Sequence, residues 1–427
     1  MSNRTQPAAA DVVVVGAGPA GLTAAIRLAE LGLVPVLLDA AGEPTRTSNA
    51  SLVHASTLEI LAELGMADEL VAAGRRIHRL VLADWGRRVT AIDLTTVRSG
   101  YPFALSVPQS STERLLLARL RQLGGSVRRR HRVETVEVDR AGQVLRGHAG
   151  EQPFALRARY VIGADGAHST VRASVGQEFP GRTYPMQFVL ADVPLRQAPT
   201  AADEAAVVLS ADGVTVLGLL PGGNHRIVAT VEPAAAVPER PDRSYLDQLL
   251  ARRETGARLA AEPSWSSRFR VHHRVADRFR IGDTFLVGDA AHVHSPAAGQ
   301  GMNTGIADAY DLATRLAAVL AGTADPDTLD DYQRHRRAAA LEVLRFTDRM
   351  TRMALAASPF TRRLRRVALG ALPRIPRVNS TVTGWITGLD RSPLRHHLPP
   401  VPASAGEAPA TAAPNTASPP PGTVRRR

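Results

Sequence analysis

Asp39 and Asp289 each close a short apolar run, and both are chemically suited to hold the hydroxyl groups of a nucleotide cofactor. The first belongs to a set that begins at Asp11–Gly21, DVVVVGAGPAG. Val12–Val15 is a β-branched run that suits a central strand covered on both faces, and it stops at Gly16. Gly16 permits a tight turn, Gly18 lets backbone approach a pyrophosphate, and Gly21 lets a following helix, Pro19–Leu31, pack closely on the strand. That helix aims its N-terminal amides and positive dipole end at the phosphates. A second strand, Pro35–Leu38, then delivers Asp39, whose carboxylate can accept both hydroxyls of an adenosine ribose and would repel a 2′-phosphate. This cradle alone does not separate FAD from NAD.

The second acid lies in Phe285–Asn303, FLVGDAAHVHSPAAGQGMN. Thr284–Val287 reads as a buried strand, so Asp289 falls at its C-terminal end, the edge where open α/β sheets bind ligands. Gly299 and Gly301 precede a helical pattern of Ile306, Tyr310, Leu312, Leu316 and Leu320. Small residues and free amides at a helix start favour an anionic ring edge, such as the N1–C2 region of a reduced flavin. NAD has no such need.

On these motifs the chain resembles the FAD-dependent aromatic-ring monooxygenases, the family of p-hydroxybenzoate hydroxylase and many polyketide hydroxylases, from about Asp11 to Leu389. Gly16, Gly18, Gly21 and Asp39 match its adenosine-diphosphate site, where the acid is more often Glu. Ala164–Arg172, ADGAHSTVR, matches its DG motif, in which Asp165 and Arg172 brace the site near flavin and nicotinamide. Gly288-Asp289 matches its GD motif, whose Asp contacts the ribityl chain, with Gly299, Gly301 and Asn303 following. The resemblance also implies a flavin contact at Gln109, followed by the acid Glu113, and a backbone contact to adenine at Val133. Two departures stand out: Asn49 where many relatives carry a flavin-contacting Arg, with Arg46 nearby, and Asp311 in place of a frequent Asn.

The implied activity is hydroxylation of an aromatic or polycyclic small molecule, using NADH or NADPH and O₂ and passing through a flavin C4a-hydroperoxide. The cofactor carries the hard chemistry while the protein orients and excludes water, so no Ser-His-Asp set or metal site is required. Pro296 stands where the family aims a backbone carbonyl at a substrate hydroxyl, and His294, with His54 and His292, could move a phenolic proton. Tyr184 and His225 are candidates to line the pocket. The alternative from another reaction class is an FAD-dependent reductase of the geranylgeranyl-reductase type.

Composition narrows the field. The 427 residues contain no cysteine, which excludes disulfides, thiolate zinc sites and a cysteine-linked flavin, so FAD is expected to be non-covalent. No signal-peptide pattern opens the chain and no long uncharged apolar run occurs, so a cytoplasmic protein is expected. The net charge is +12 and every basic residue is Arg, yet the arginines are scattered and aromatics make up only 4%, so no nucleic-acid surface is expected. The missing lysine also removes the flavin-halogenase reading of this fold.

The expected architecture is α/β: a Rossmann-like FAD-binding domain with an inserted, mostly antiparallel β-sheet substrate domain and C-terminal helices. The FAD-binding part gathers residues 11–75, 108–176 and 281–322, and the substrate domain 76–107 and 177–280. A helical segment covers 323–395 and a Pro/Ala-rich, disordered tail 396–427. The basic amphipathic stretch Thr361–Pro373 could meet a membrane surface, but a helix packed on the flavin domain with its arginines solvated is the preferred reading.

Overall fold

The computed structural model describes residues 8–44, 50–139, 142–232, 235–295, 299–354, 376–395 and 398. Asn49, Arg46, Pro296, the Thr361–Pro373 stretch and all of the tail except Leu398 lie outside the described residues.

The valine run does become a central strand. Ala8–Val15 lies between Val36–Leu38 and Gln152–Gly163, parallel to both, and Gln152–Gly163 pairs in parallel with Thr284–Leu286. Val12 to Val15 are all at most 5% exposed, which is why the run shows no alternation. Their C-terminal ends are held level by backbone bonds: Gly16 N to Leu38 O, Ala164 N to Val15 O and Val287 N to Gly163 O, each 2.7–2.9 Å. The glycine turn, Asp39, the DG loop and the GD turn therefore share one sheet edge. Helices Pro19–Glu30, Gln109–Gln122 and Gln300–Leu320 pack beside one another, and the hairpin His131–Asp139/Gly142–Ala149 extends the sheet.

A second sheet is inserted between these segments. Its central strands, Gly181–Gln197, Asn224–Val231, Gly213–Leu219 and Glu204–Ser210, are antiparallel, while Arg79–Asp84 joins in parallel. Val189, Ala191, Ile227, Ala229 and Leu217 point to an outer core covered by helix Arg243–Arg252. On the opposite face Leu82, Ala205 and Leu209 form a second cluster with Ile77, Ile92, Leu94 and Ala104. The mixed α/β class with an inserted, mostly antiparallel sheet is what the sequence implied. One long strand, Trp265–Val275, has no counterpart in the sequence reading, although Arg268 and Arg270 alternate with Phe269 and Val271.

Helices Thr328–Ala354 and Pro376–Thr387 complete the body. Asp311, the departure from the family Asn, forms a buried ion pair with Arg315 at 2.7 Å one helical turn on, so the extra charge has a partner. No helix among the described residues is long and apolar enough to cross a membrane.

Candidate functional site at the sheet edge

The glycine turn is built around backbone approach. Gly16 adopts φ +103°, and a Cβ there would lie 2.3 Å from the Ala164 carbonyl oxygen. A Cβ on Gly21 would lie 1.9 Å from the carbonyl oxygen of Gly16. At Gly18 the same Cβ would meet nothing within 4 Å, so the turn is crowded on the protein side and open in front. That is the shape a pyrophosphate requires over the N-terminus of helix Pro19–Glu30. Asp39 accepts from Ala17 N and Ala41 N, both at 2.7 Å, and pairs with Arg129 at 3.4 Å. These bonds fix the carboxylate beside the turn while leaving lone pairs for a ribose. Strand His131–Asp139 starts against Asp39, through His131 N to Asp39 O at 2.8 Å, and places buried Val133 near the same corner.

The other named residues separate into groups open to a ligand and groups that hold the frame. Asp289 is exposed to solvent yet ringed by protein at longer range, as on the floor of a cleft. Desolvation there raises its pKa, opposed by nearby His292. Gly299 begins helix Gln300–Leu320 in the left-handed region, φ +63°, and no side chain caps that helix end. At Gly301 a Cβ would meet, among the described residues, only His294 Cε1, at 4.0 Å.

Arg172, by contrast, is buried and committed. Its Nη1 donates to Ala290 O at 2.9 Å and its Nη2 to Ala167 O at 2.8 Å, so one guanidinium ties the DG loop to the GD turn. Its ring neighbour is Phe179, and burial lowers its pKa. Asp165 caps the short helix Thr170–Ser174 by accepting from Ser169 Oγ and Val171 N. Gln109 accepts from Ala50 N at 3.1 Å and donates to Glu113 at 2.8 Å, gripping the chain next to Asn49. Burial raises the Glu113 pKa, and the Gln109 bond opposes it. Asn303 receives His54 N at 2.8 Å and donates to Leu52 O and Gly299 O, lashing strand Leu52–Val53 to the turn.

Beneath the GD turn lies a network that the sequence did not reveal. Asp308, fully buried, accepts from His292 Nε2 at 2.6 Å, Arg336 Nε at 2.8 Å and Gly288 N at 3.3 Å. Burial alone would raise the Asp308 pKa; His292 and Arg336 outweigh it and hold the carboxyl below its ordinary value. His292 is thereby fixed as a brace through Nε2. The ring of His294 lies parallel to it, 6.2 Å away.

His294 Nδ1 sits 3.0 Å from the Ser295 carbonyl, which can only accept. The proton is therefore assigned to Nδ1, leaving Nε2 bare, buried and without a hydrogen-bond partner. Burial, then the neighbouring His292, pulls its pKa down to about 4. An unfolded histidine titrates near 6.5, so the unfolded chain binds more protons between about pH 6.5 and 4 and stability falls as pH drops through that window. His294→Gln is expected to flatten this acid limb by about 2–3 kcal/mol, read as denaturant midpoints at pH 7 and 4.5. Equal acid loss in both proteins would refute the assignment.

Tyr184 is held in place by two partners. Its hydroxyl donates to Asp348 at 2.9 Å and meets His273 Nδ1 at 3.2 Å, while burial pushes its pKa up to about 12. On the inner face of the second sheet Leu80, Val207, Val214, Val216 and Val228 are only half-buried although they lie mid-sheet.

Residues 9–347 match the family model described as an FAD binding domain. The chain belongs to this family. It is 33% identical over 411 residues to the 12-dehydrotetracycline 5-monooxygenase/anhydrotetracycline 6-monooxygenase of Streptomyces rimosus, covering 91% of this chain and 78% of that one. It is 34% identical to the rifampicin monooxygenase of Streptomyces venezuelae, covering 78% of this chain and 69% of the relative. Among solved structures, the OxyS anhydrotetracycline hydroxylase from Streptomyces rimosus superposes with a TM-score of 0.75 at 32% identity, covering 90% of this chain and 76% of that chain. This family member is thus an FAD-dependent monooxygenase, and the crowded glycine turn, open on its outer side, fits the cofactor.

Proposed function

We propose that the protein hydroxylates an aromatic or polycyclic small molecule, with FAD held non-covalently, NADH or NADPH as electron donor and O₂ as oxidant, in the cytoplasm. The observation that carries this reading is the half-buried apolar face of Leu80, Val207, Val214, Val216 and Val228. Mid-sheet apolar side chains left partly exposed offer a surface that a flat apolar ligand could cover. The monooxygenases among the relatives support it over an alkene reductase.

When bound, FAD supplies hydride acceptance from the nicotinamide and activation of O₂. The chain's own residues would do the rest. Amides at the start of helix Pro19–Glu30 receive the pyrophosphate, and Asp39 the adenosine ribose. Asp289 accepts ribityl hydroxyls, and the uncapped amides at Gly299–Gly301 face the ring edge. Asp165, Arg172, Gln109 and Asn303 keep these groups in register. His294, unprotonated at neutral pH and with a pKa of about 4, is too weak a base to ionise a phenol; with its Nε2 enclosed by protein it would act on the substrate through the turn it holds. Pro296 would add a backbone carbonyl beside it.

The test is a panel of phenols screened for stimulated NAD(P)H oxidation, with product and hydrogen peroxide both quantified per nicotinamide consumed. We expect slow oxidation without substrate, acceleration by a suitable phenol, and oxygen recovered in the product. Reduction of an alkene with O₂ dispensable would replace this reading with the reductase.

A further inference from the structure

Two hydrogen-bond chains run from the C-terminal segment, which lies outside the family match of residues 9–347, to the two turns assigned above to the flavin. The first is direct. Gln300, the first residue of helix Gln300–Leu320 and only 2% exposed, donates through Nε2 to Ile386 O at 2.9 Å. The second is relayed. Arg391 O accepts from Arg336 Nη1 at 2.9 Å, Arg336 Nε donates to Asp308 at 2.8 Å, and Asp308 in turn holds Gly288 N and His292 Nε2 of the GD turn.

Helix Pro376–Thr387 and the residues just after it are fitted closely to the same corner. Gly388 follows the helix in the left-handed region, φ +73°, and a Cβ there would lie 2.5 Å from Ser56 Oγ, at the start of helix Ala55–Glu63. The strand before that helix, Leu52–Val53, is the one that Asn303 ties to Gly299. Arg391 Nη2 donates to Trp385 O at 2.8 Å, and its guanidinium lies 4.4 Å from the centre of the Trp385 ring, so the stretches that supply the two carbonyls are bound to each other. Asp39, at the adenosine end, is held separately by Ala17 N, Ala41 N and Arg129.

We propose that residues 376–391 are a strap that sets the ring end of the FAD seat, with Gln300 as a positioning residue that fixes the uncapped amides at Gly299–Gly301 to the C-terminal segment. The adenosine end forms without it. The inference rests on the assignment of the ring edge to that turn. Its physical basis is that helix ends fray, whereas amides stabilise charge on a ring edge only when they are already held in place as it arrives. No side chain caps this helix start, so the bond from Gln300 to Ile386 O supplies the restraint.

The experiment titrates the full chain, stripped of flavin, with FAD and with ADP, which carries the adenosine and pyrophosphate but no ring. Gln300→Met keeps a similar side-chain volume and removes the donor, leaving a buried carbonyl unpartnered. FAD affinity should fall about tenfold while ADP affinity stays within about twofold. In the reloaded variant the two-electron potential of the flavin should drop by about 30 mV, the equivalent of a further tenfold weaker hold on the reduced form. Gly388→Ala should give the same split between FAD and ADP by forcing the strap off Ser56, and adding Ser56→Ala should restore most of the loss. FAD and ADP weakening in equal measure, or neither weakening, would overturn the strap. Gly301→Val checks the seat itself. If it leaves FAD affinity unchanged, the ring is not at this turn and both readings fall; if it weakens FAD while Gln300→Met and Gly388→Ala do not, only the strap is lost.

Discussion

Gly21→Ala should yield a protein that cannot retain FAD. The added Cβ would lie 1.9 Å from the Gly16 carbonyl oxygen and 3.2 Å from Ala164 Cβ, and the first of these is backbone that has no rotamer with which to yield. Gly16 cannot retreat, because its own amide is bonded to Leu38 O at 2.7 Å and Ala164 N to Val15 O at 2.7 Å. Helix Pro19–Glu30 must therefore move away from the strand end, carrying its amides off the phosphate position. Overpacking of this kind typically destabilises by about 1–3 kcal/mol, but the loss of FAD affinity should be greater, on the order of a hundredfold, because several phosphate bonds are lost together. Asp289→Asn is the informative contrast. It removes a carboxylate whose ionised form is disfavoured by desolvation, so the flavin-free protein should be no less stable while FAD binding weakens. The check is flavin occupancy after purification, followed by titration with FAD and by denaturant unfolding of the stripped proteins. A Gly21→Ala protein as yellow as the unaltered one would show that the helix start is not the phosphate site.

The largest stability loss should come from Asp308→Asn. The carboxylate is 0% exposed and compensates Arg336, itself only 2% exposed, while accepting from His292 and Gly288 N. The amide retains one acceptor oxygen but replaces the other with a donor, set against partners that all donate. Arg336 is then a buried cation without its counterion, a condition that costs about 3–5 kcal/mol. Because Gly288 and His292 flank Asp289, flavin retention should fall with stability, and the Arg336 bond to Arg391 O should carry the defect into the C-terminal helix. Urea midpoints with and without excess FAD would measure both. Unchanged midpoints and occupancy would mean that the network is decoration.

The parallel strands were legible because burial on both faces writes itself as an unbroken apolar run, as at Val12–Val15 and Thr284–Val287. The acids at their ends were legible because the cradle demands a residue type at a fixed chain position. Strand Trp265–Val275 was hard to see because Ser267 and His273 interrupt its inner face, so the alternation is clear only over Arg268–Val271. In the site, types and spacing identified which residues matter but not what each one touches. Arg172, Gln109 and Asn303 proved to be bound to backbone at 5, 118, 59 and 249 residues' separation, contacts that only the folded topology creates. The Asp308–His292–Arg336 network was missed for the same reason, although an acid inside the otherwise apolar run Gly305–Ala309 was a visible signal of a buried counter-charge.

The central strand Ala8–Val15 is made well before its second neighbour. Its partner on one side, Val36–Leu38, follows it directly, but the other, Gln152–Gly163, emerges only after the first inserted strands, and Thr284–Leu286 only after the central strands of the second sheet. Until Leu286 has left the ribosome no sheet edge exists on which the glycine turn, the DG loop and the GD turn can meet. FAD therefore cannot guide the early chain, and a long stretch of valine must wait without its neighbour, open to other chains. Slow synthesis or heavy overexpression should accordingly act on yield through this waiting interval, before any question of cofactor supply arises.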